Sequence, residues 1–332
     1  MESPFIQQLL LAHPDFYIGC FVLFMALFLA HKFPIPKGYQ PFIALHLLAK
    51  QLASKVNHND RSQTQQLIAG TLASLLLLFP FWAIVSFLLA MAASPWFFEL
   101  LVLYVCLSAT SFSGTAREIA AALKQQENQS AKTLLADWVS QDTQGLSEVG
   151  LSKASISQLL TRPCYGAISC ILFFAIGGSP LVLAACMCRQ LELSWPPYYP
   201  ANRHFGRFIY RLNRIIFWLP NGLWNFSLAI QGGKVAMTAW LAPPKCRHAL
   251  SEFPSLYLGA KLLNVELGGP QKIPQGRTQY RLELDKIKAG KLPNYQDINL
   301  AIMLTRRASQ FWIIFSLSIP LIWSGLSWLQ SM

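Results

Sequence analysis

The sequence is short of charge, and shorter still of acid. Only 13% of its 332 residues are Asp, Glu, Lys or Arg, with 15 acids against 27 bases. A soluble globular domain carries about twice that charged share, so an ordinary water-facing surface is excluded. The chain also lacks a CxxC pair and any Cys/His spacing that would hold a metal. Its seven cysteines, four of them at Cys164, Cys170, Cys186 and Cys188 in or beside one apolar segment, read as small buried hydrophobes. No Lys or Arg precedes position 32. Without a basic n-region or a small-residue cleavage site, a secretory signal peptide is not expected. Missing too are a Walker A loop, GxGxxG, HExxH and GxSxG.

What is there is apolar: 53% of residues are hydrophobic and 13% aromatic. That excludes a disordered tail, a collagen-like chain and a small disulfide scaffold. The net charge of +12 would suggest nucleic acid in a soluble domain. In a membrane chain it reads instead as basic residues gathered in cytoplasmic loops, and no nucleic-acid partner is expected.

Spans of about 20 apolar residues are expected near 16–31, 67–93, 96–112, 165–188 and 311–329. Residues 215–230 form either a sixth span or an amphipathic helix on the surface, with Arg207, Arg211 and Arg214 at helical spacing along its front. Within 165–188, Gly177-Gly178-Ser179-Pro180 is either a kink or the turn of a segment that re-enters the membrane. Counting 215–230 as a span puts 22 of the 27 basic residues in 32–66, 113–163 and 233–309. These become the cytoplasmic segments, with the N-terminus outside. The expected fold is therefore a single all-α integral membrane domain over 1–332, with five or six transmembrane helices and cytoplasmic helical loops. Ala116 to Val139 reads as helix, Gln141 to Gly145 as a turn, and 233–309 as a compact lobe.

Several residues carry two readings. Gly268-Gly269-Pro270 is a backbone that lets a phosphate approach, or a turn. Asp142-Thr143 could hold magnesium or a phosphate-bearing ligand, or satisfy backbone donors after a helix. Glu99 is a carboxylate just inside a span, functional by default yet close enough to the end to snorkel. His13, followed by Pro14, is a ligand or an interfacial histidine. The arginine trio clamps an anionic substrate or holds the helix on an anionic leaflet.

Taken in order, these fragments resemble one family. His13-Pro14 with Ile18-Gly19 is similar to the HPxxxIG opening of the cobalamin-biosynthesis membrane synthases, the CobD/CbiB family. Ala131-Lys132 with Asp142-Thr143 and Leu146 resembles its helix ending in Arg-Asp-Thr, and Ile176-Gly177-Gly178 with Pro180 its mid-span Gly-Gly. Phe205-Gly206, Arg211-Leu212 and Pro220, then Leu267-Gly268-Gly269-Pro270 and Arg306-Arg307-Ala308, complete the series over most of the chain.

That resemblance implies an inner-membrane, multi-pass enzyme with its large loops in the cytoplasm and the lipid bilayer and a corrinoid as its partners. The implied reaction joins adenosylcobyric acid to aminopropanol or its phosphate, with magnesium and ATP. By resemblance, Asp142 and Glu192 are catalytic, Asp142 also being the candidate magnesium ligand. His13, Thr143, Arg211, Gly268, Gly269 and Pro270 would bind substrate.

The departures fall on charged positions. Where the family has Glu-Asn and Asp-Gly before the fourth span, this chain has Thr161-Arg162 and Tyr165-Gly166. Arg189 and Glu192 stand for an Asn and an Asp, Asn213-Arg214 for an Asp-Asp pair, and Gln141 for an Arg. Exchanging carboxylate for guanidinium inverts the local field at a metal–ATP site. The alternative is a catalytically silent relative, similar to the AmpE membrane proteins associated with signalling.

Overall fold

The computed structural model describes residues 14–58, 60–242, 252–275 and 278–331. It is an all-helical membrane protein with two small strand pairs. Among the described residues, five stretches are long and apolar enough to cross a membrane: 14–32, 63–91, 95–124, 148–194 and 295–325.

The bundle consists of α1 (Pro14–Lys32), α3 (Gln63–Met91), α4 (Pro95–Ser108), α8 (Ser169–Ser194) and the second half of α13 (Tyr295–Ser331), with α2 (Pro41–Val56) packed on α8. A capping box starts α3: the Gln65 N–H donates to Ser62 Oγ at 3.3 Å and the Ser62 N–H to Gln65 Oε1 at 3.1 Å. The helices approach on small residues such as Ala26, Ala30 and Ala73, all buried. Leu72, Leu76, Phe79 and Phe87 point outward, each more than 60% exposed. In a helix of this length and composition that face is the lipid-facing one.

The segment 165–188 is not one straight span. Gly177 and Gly178 are non-helical, and Gly178 sits at φ 67°, ψ −167°, a region essentially reserved for glycine. A straight helix would separate residues 165 and 189 by about 36 Å. Instead the Arg189 guanidinium carbon lies 3.7 Å from the centroid of the Tyr165 ring. The chain turns back on itself, so of the two readings of the Gly-Gly sequence the turn holds. The Trp82 indole N–H, donating to the Pro180 carbonyl at 3.0 Å, ties α3 to the bend. Because the hairpin returns, Arg189 re-emerges at the end of the bundle where Tyr165 enters it. The sequence has no Lys or Arg in 62–116, in 163–188 or after 307, and all these bare stretches cross the bundle.

Residues 215–230 do not form a sixth span. They are divided between α9 (Arg207–Ile216) and α10 (Trp218–Gln231), which break at Phe217. At 14 residues α10 is about 21 Å long, short of the ~30 Å hydrocarbon core. Its Trp224, Leu228 and Ala229 are fully buried, and the Trp224 indole N–H donates to the Leu160 carbonyl at 2.6 Å. Tertiary packing covers one face of this run, while Ile215, Trp218, Leu219 and Ile230 stay exposed. Helix α11 (Gly233–Leu241) follows it.

The lobe joins segments that are far apart in sequence. Helices α5 (Ser113–Lys124), α6 (Asn128–Ala136) and α7 (Glu148–Pro163) share a core with α12 (Phe253–Leu263) and the first turns of α13. The helix expected over Ala116–Val139 is two helices, separated at Gln126, which has φ 61°. Strands β1 (Glu266–Gly268) and β4 (Lys286–Lys288) pair antiparallel, as do β2 (Gln271–Gln275) and β3 (Thr278–Leu282). Ile119, Leu135, Leu151, Leu160, Leu267 and Ile298 are essentially inaccessible at the centre. Lys153 on α7 ion-pairs with Glu266 on β1, clamping helix to strand.

A candidate anion-binding cavity between bundle and lobe

A cavity of about 210 Å³ opens at the seam of bundle and lobe. A water molecule's share of liquid volume is about 30 Å³, so the space suits a small ligand or one arm of a larger one. The bundle side contributes Cys106, Tyr165, Arg189 and Glu192; the lobe side contributes Trp138, Gln141, Arg162, Glu252, Gly268 and Asp285; Tyr198, Tyr199 and Tyr210 close the rim. The hairpin at Gly178 is what brings Arg189 and Glu192 opposite Tyr165.

Two guanidiniums behave differently here. Arg189 is saturated with carboxylate: its Nη1 donates to Glu192 Oε2 at 2.8 Å and its Nη2 to Glu252 Oε1 at 2.5 Å, while the plane stacks on Tyr165. Arg162 has no carboxylate within ion-pair distance among the described residues. Its Nε donates to Gln158 Oε1 at 2.8 Å and its Nη2 to the Trp138 carbonyl at 3.3 Å. Its guanidinium carbon lies 4.4 Å from the Trp138 ring centroid. Burial pushes the Tyr198 and Tyr199 phenols above their ordinary range, so both remain neutral hydrogen-bonding groups at physiological pH.

Of the residues singled out in the sequence, Glu192 and Gly268 line the cavity and are brought together by it. Glu192 is buried, at 7% exposure. Gly268 ends β1 at φ 69°, and a Cβ there would meet the Asp285 carbonyl oxygen at 2.6 Å. Gly269, at φ 105°, and Pro270 complete the turn without lining the cavity. The loop is a turn, and Gly268 within it also lines the cavity.

Asp142 lies beside the cavity rather than in it. Its Oδ1 accepts from the Gln144 N–H at 3.0 Å and its own N–H donates to the Lys272 carbonyl at 2.8 Å. That is the Asx-turn role, fixing the α6–α7 loop to β2. Thr143 is buried, outside the cavity lining. Arg211 is exposed on α9 and does not reach the cavity, as are Arg207 and Arg214, so the trio does not clamp a ligand there. Glu99 lies by the Gly178 turn, at the other end of the hairpin. His13 falls outside the described residues.

The comparisons with known proteins give this arrangement a family. A family model described as "CobD/Cbib protein" matches residues 23–305. The chain belongs to the CobD/CbiB family. It is 25% identical over 256 residues to a cobalamin biosynthesis protein CobD of Chromobacterium violaceum, covering 76% of this chain and 80% of the relative. A CobD of Stutzerimonas stutzeri is 25% identical over 280 residues, covering 84% and 90%. A CbiB of Salmonella typhimurium is 24% identical over 204 residues, covering 57% and 61%. No solved structure matches the chain.

Seen against the CobD/CbiB pattern, most of the departures meet in one place, Asn213 and Arg214 lying outside it. Gln141, Arg162, Tyr165, Arg189 and Glu192 all line the one cavity. Apart from Glu192, named as catalytic by resemblance, these positions stand in the sequence only as losses, and nothing there links them to one another. Glu252 and Trp138 carried no signal of their own, while the Tyr198-Tyr199 doublet is the one local hint of an aromatic rim. The donor set does not suit magnesium. Among the described residues no three Asp, Glu, His or Cys side chains are grouped to hold a metal. Glu192 and Glu252 are engaged by Arg189, and the Asp142 carboxylate caps its own turn.

Proposed function

We propose that the chain acts in cobalamin biosynthesis as an amide synthase joining adenosylcobyric acid to aminopropanol or its phosphate. The observation that carries this reading is the meeting of Gly268, which matches the family pattern, and Glu192, which stands in for its Asp, with Arg162 and Arg189 at one cavity. The curated relatives' names, which refer to cobalamin biosynthesis, support it. In this reading the cavity holds the acceptor and the reacting carboxyl arm of the corrinoid.

The reaction needs an activated carboxyl. A corrinoid carboxylate oxygen attacks the γ-phosphorus of ATP, the bond to ADP breaks, and an acyl phosphate forms. The acceptor nitrogen then attacks the acyl carbon, phosphate leaves with its oxygen, and a proton passes from nitrogen to a base. Guanidinium groups lower the cost of the developing oxyanions, which is the part assigned to Arg162 and Arg189. Glu192 and Glu252 are the carboxylates placed to receive the proton. Magnesium belongs to the ATP substrate in this scheme. The lobe would face the cytoplasm of a bacterial inner membrane, in keeping with the absence of Lys and Arg from 62–116, from 163–188 and after 307.

A second reading, a silent AmpE-like relative acting in regulation, is favoured by one observation: Arg189 occupies both cavity glutamates. The test is direct. Washed membranes carrying the protein are given adenosylcobyric acid, aminopropanol phosphate and Mg-ATP, and mass spectrometry seeks the amide, with a known family enzyme as control. Product above background supports the synthase. No product from correctly inserted protein turns the assignment to the silent relative.

A further inference from the structure

The disagreement between this cavity and a magnesium site has a positive content. Arg189 bonds Glu192 through one terminal nitrogen and Glu252 through the other, which is where a divalent cation would sit if it bridged the two carboxylates. The protein therefore supplies the neutralising charge itself, on a side chain that cannot dissociate. Arg162 has the opposite condition. With Nε and Nη2 anchored to Gln158 and Trp138, three of the five N–H donors of a guanidinium have no acceptor among the described residues. A half-buried cation with no carboxylate at ion-pair distance is costly, and Arg162, held between the Phe112 and Trp138 rings, lines the cavity.

We infer that the cavity binds the phosphate of its ligand directly on Arg162, without a bridging metal ion, Arg189 holding the place of the metal. The guanidinium fork matches phosphate geometry bidentately, and the Trp138 ring beneath it fixes the plane of that fork. That the ligand is the phosphate monoester of a small amino alcohol rests on the synthase reading. That the site takes a phosphate without metal does not.

The probe is aminopropanol phosphate titrated into the purified full-length protein in detergent micelles, followed by ³¹P line broadening, with inorganic phosphate and unphosphorylated aminopropanol as separate arms. Binding is expected in EDTA and unchanged by added magnesium. Arg162→Gln should weaken it about 10- to 100-fold, the range for losing a hydrogen bond to a charged group, while Arg162→Lys keeps part of it. Arg117→Gln, an exposed charge on α5, should leave it unaltered, and thermal melting of each variant separates lost binding from lost fold. Binding of inorganic phosphate alone supports the site and removes the amino alcohol. A strict magnesium requirement, an Arg162→Gln variant that binds like the parent, or tighter binding of aminopropanol than of its phosphate would each overturn the inference. Amide product with magnesium-dependent binding would keep the synthase and discard this site; metal-free binding without product would do the reverse.

Discussion

The bundle and the lobe solve burial in opposite ways. Helix α3 exposes Leu72, Leu76, Phe79 and Phe87 and buries Gly70, Ala73 and Ser74. Helix α5 of the lobe buries Ala116, Ile119 and Leu123 and exposes Arg117, Glu118 and Lys124. In lipid there is no gain from hiding a leucine, so helices meet on small residues and close backbone contact. In water the gain is in burying the large apolar side chains. The cavity lies where the two regimes join, and this is why its polar groups are held by ion pairs and hydrogen bonds drawn from both sides.

The comparison can be broken most severely at that seam. Arg189→Met leaves Glu192 and Glu252 facing each other without their cation, at an expected cost of about 3–5 kcal/mol. It should appear as a large drop in melting temperature in detergent, recovered in part by the further change Glu252→Gln. In the lobe, Leu151→Ala at the buried centre should cost about 2–5 kcal/mol. That change should expose the lobe to limited proteolysis while the bundle stays assembled.

In the bundle the damaging change has the other sense. Ala26→Leu, at a fully buried contact, should overpack by about 1–3 kcal/mol, whereas Leu76→Ala on the lipid face should be nearly silent in detergent melts. Gly178→Ala, at a backbone position costing about 1–3 kcal/mol for any other residue, should loosen the hairpin. If the cavity depends on that turn, ligand-site accessibility of Cys186 to thiol reagents should rise in the same variant.

The smallest effect is a pH dependence confined to the lobe. The Lys153 ammonium, with Lys286 beside it, holds the Glu266 carboxyl below its ordinary range. A depressed carboxyl stabilises fully above its unfolded pKa, about 4.3, and the contribution fades as pH falls through the lower folded value. Lobe melting followed from pH 6 to 3 should show this loss, and Glu266→Gln should remove it while leaving bundle melting unchanged.

Hydropathy made most of the bundle legible, because a stretch such as 67–93 has no fold in water that could hide it. It could not distinguish 215–230 from a span, since Trp224 and Leu228 are apolar for the sake of α12 and α13 rather than lipid. The Gly177-Gly178 pair announced a break but not its angle. In the site, Glu192 and Gly268 were legible through the family pattern. Asp142 matched the same pattern equally well, yet its carboxylate is spent on the Gln144 amide. A motif records residue type, not which way a side chain is turned.

The sequence alone thus determined that the chain lives in a membrane, which segments avoid charge, and which family pattern it follows, because composition and periodicity act locally along the chain. Only the tertiary structure decided that Arg162, Tyr165, Arg189, Glu192 and Glu252 share one cavity. Their encounter depends on a reversal at two glycines and on a lobe closed from segments more than a hundred residues apart, and no local property of any of them encodes that distance.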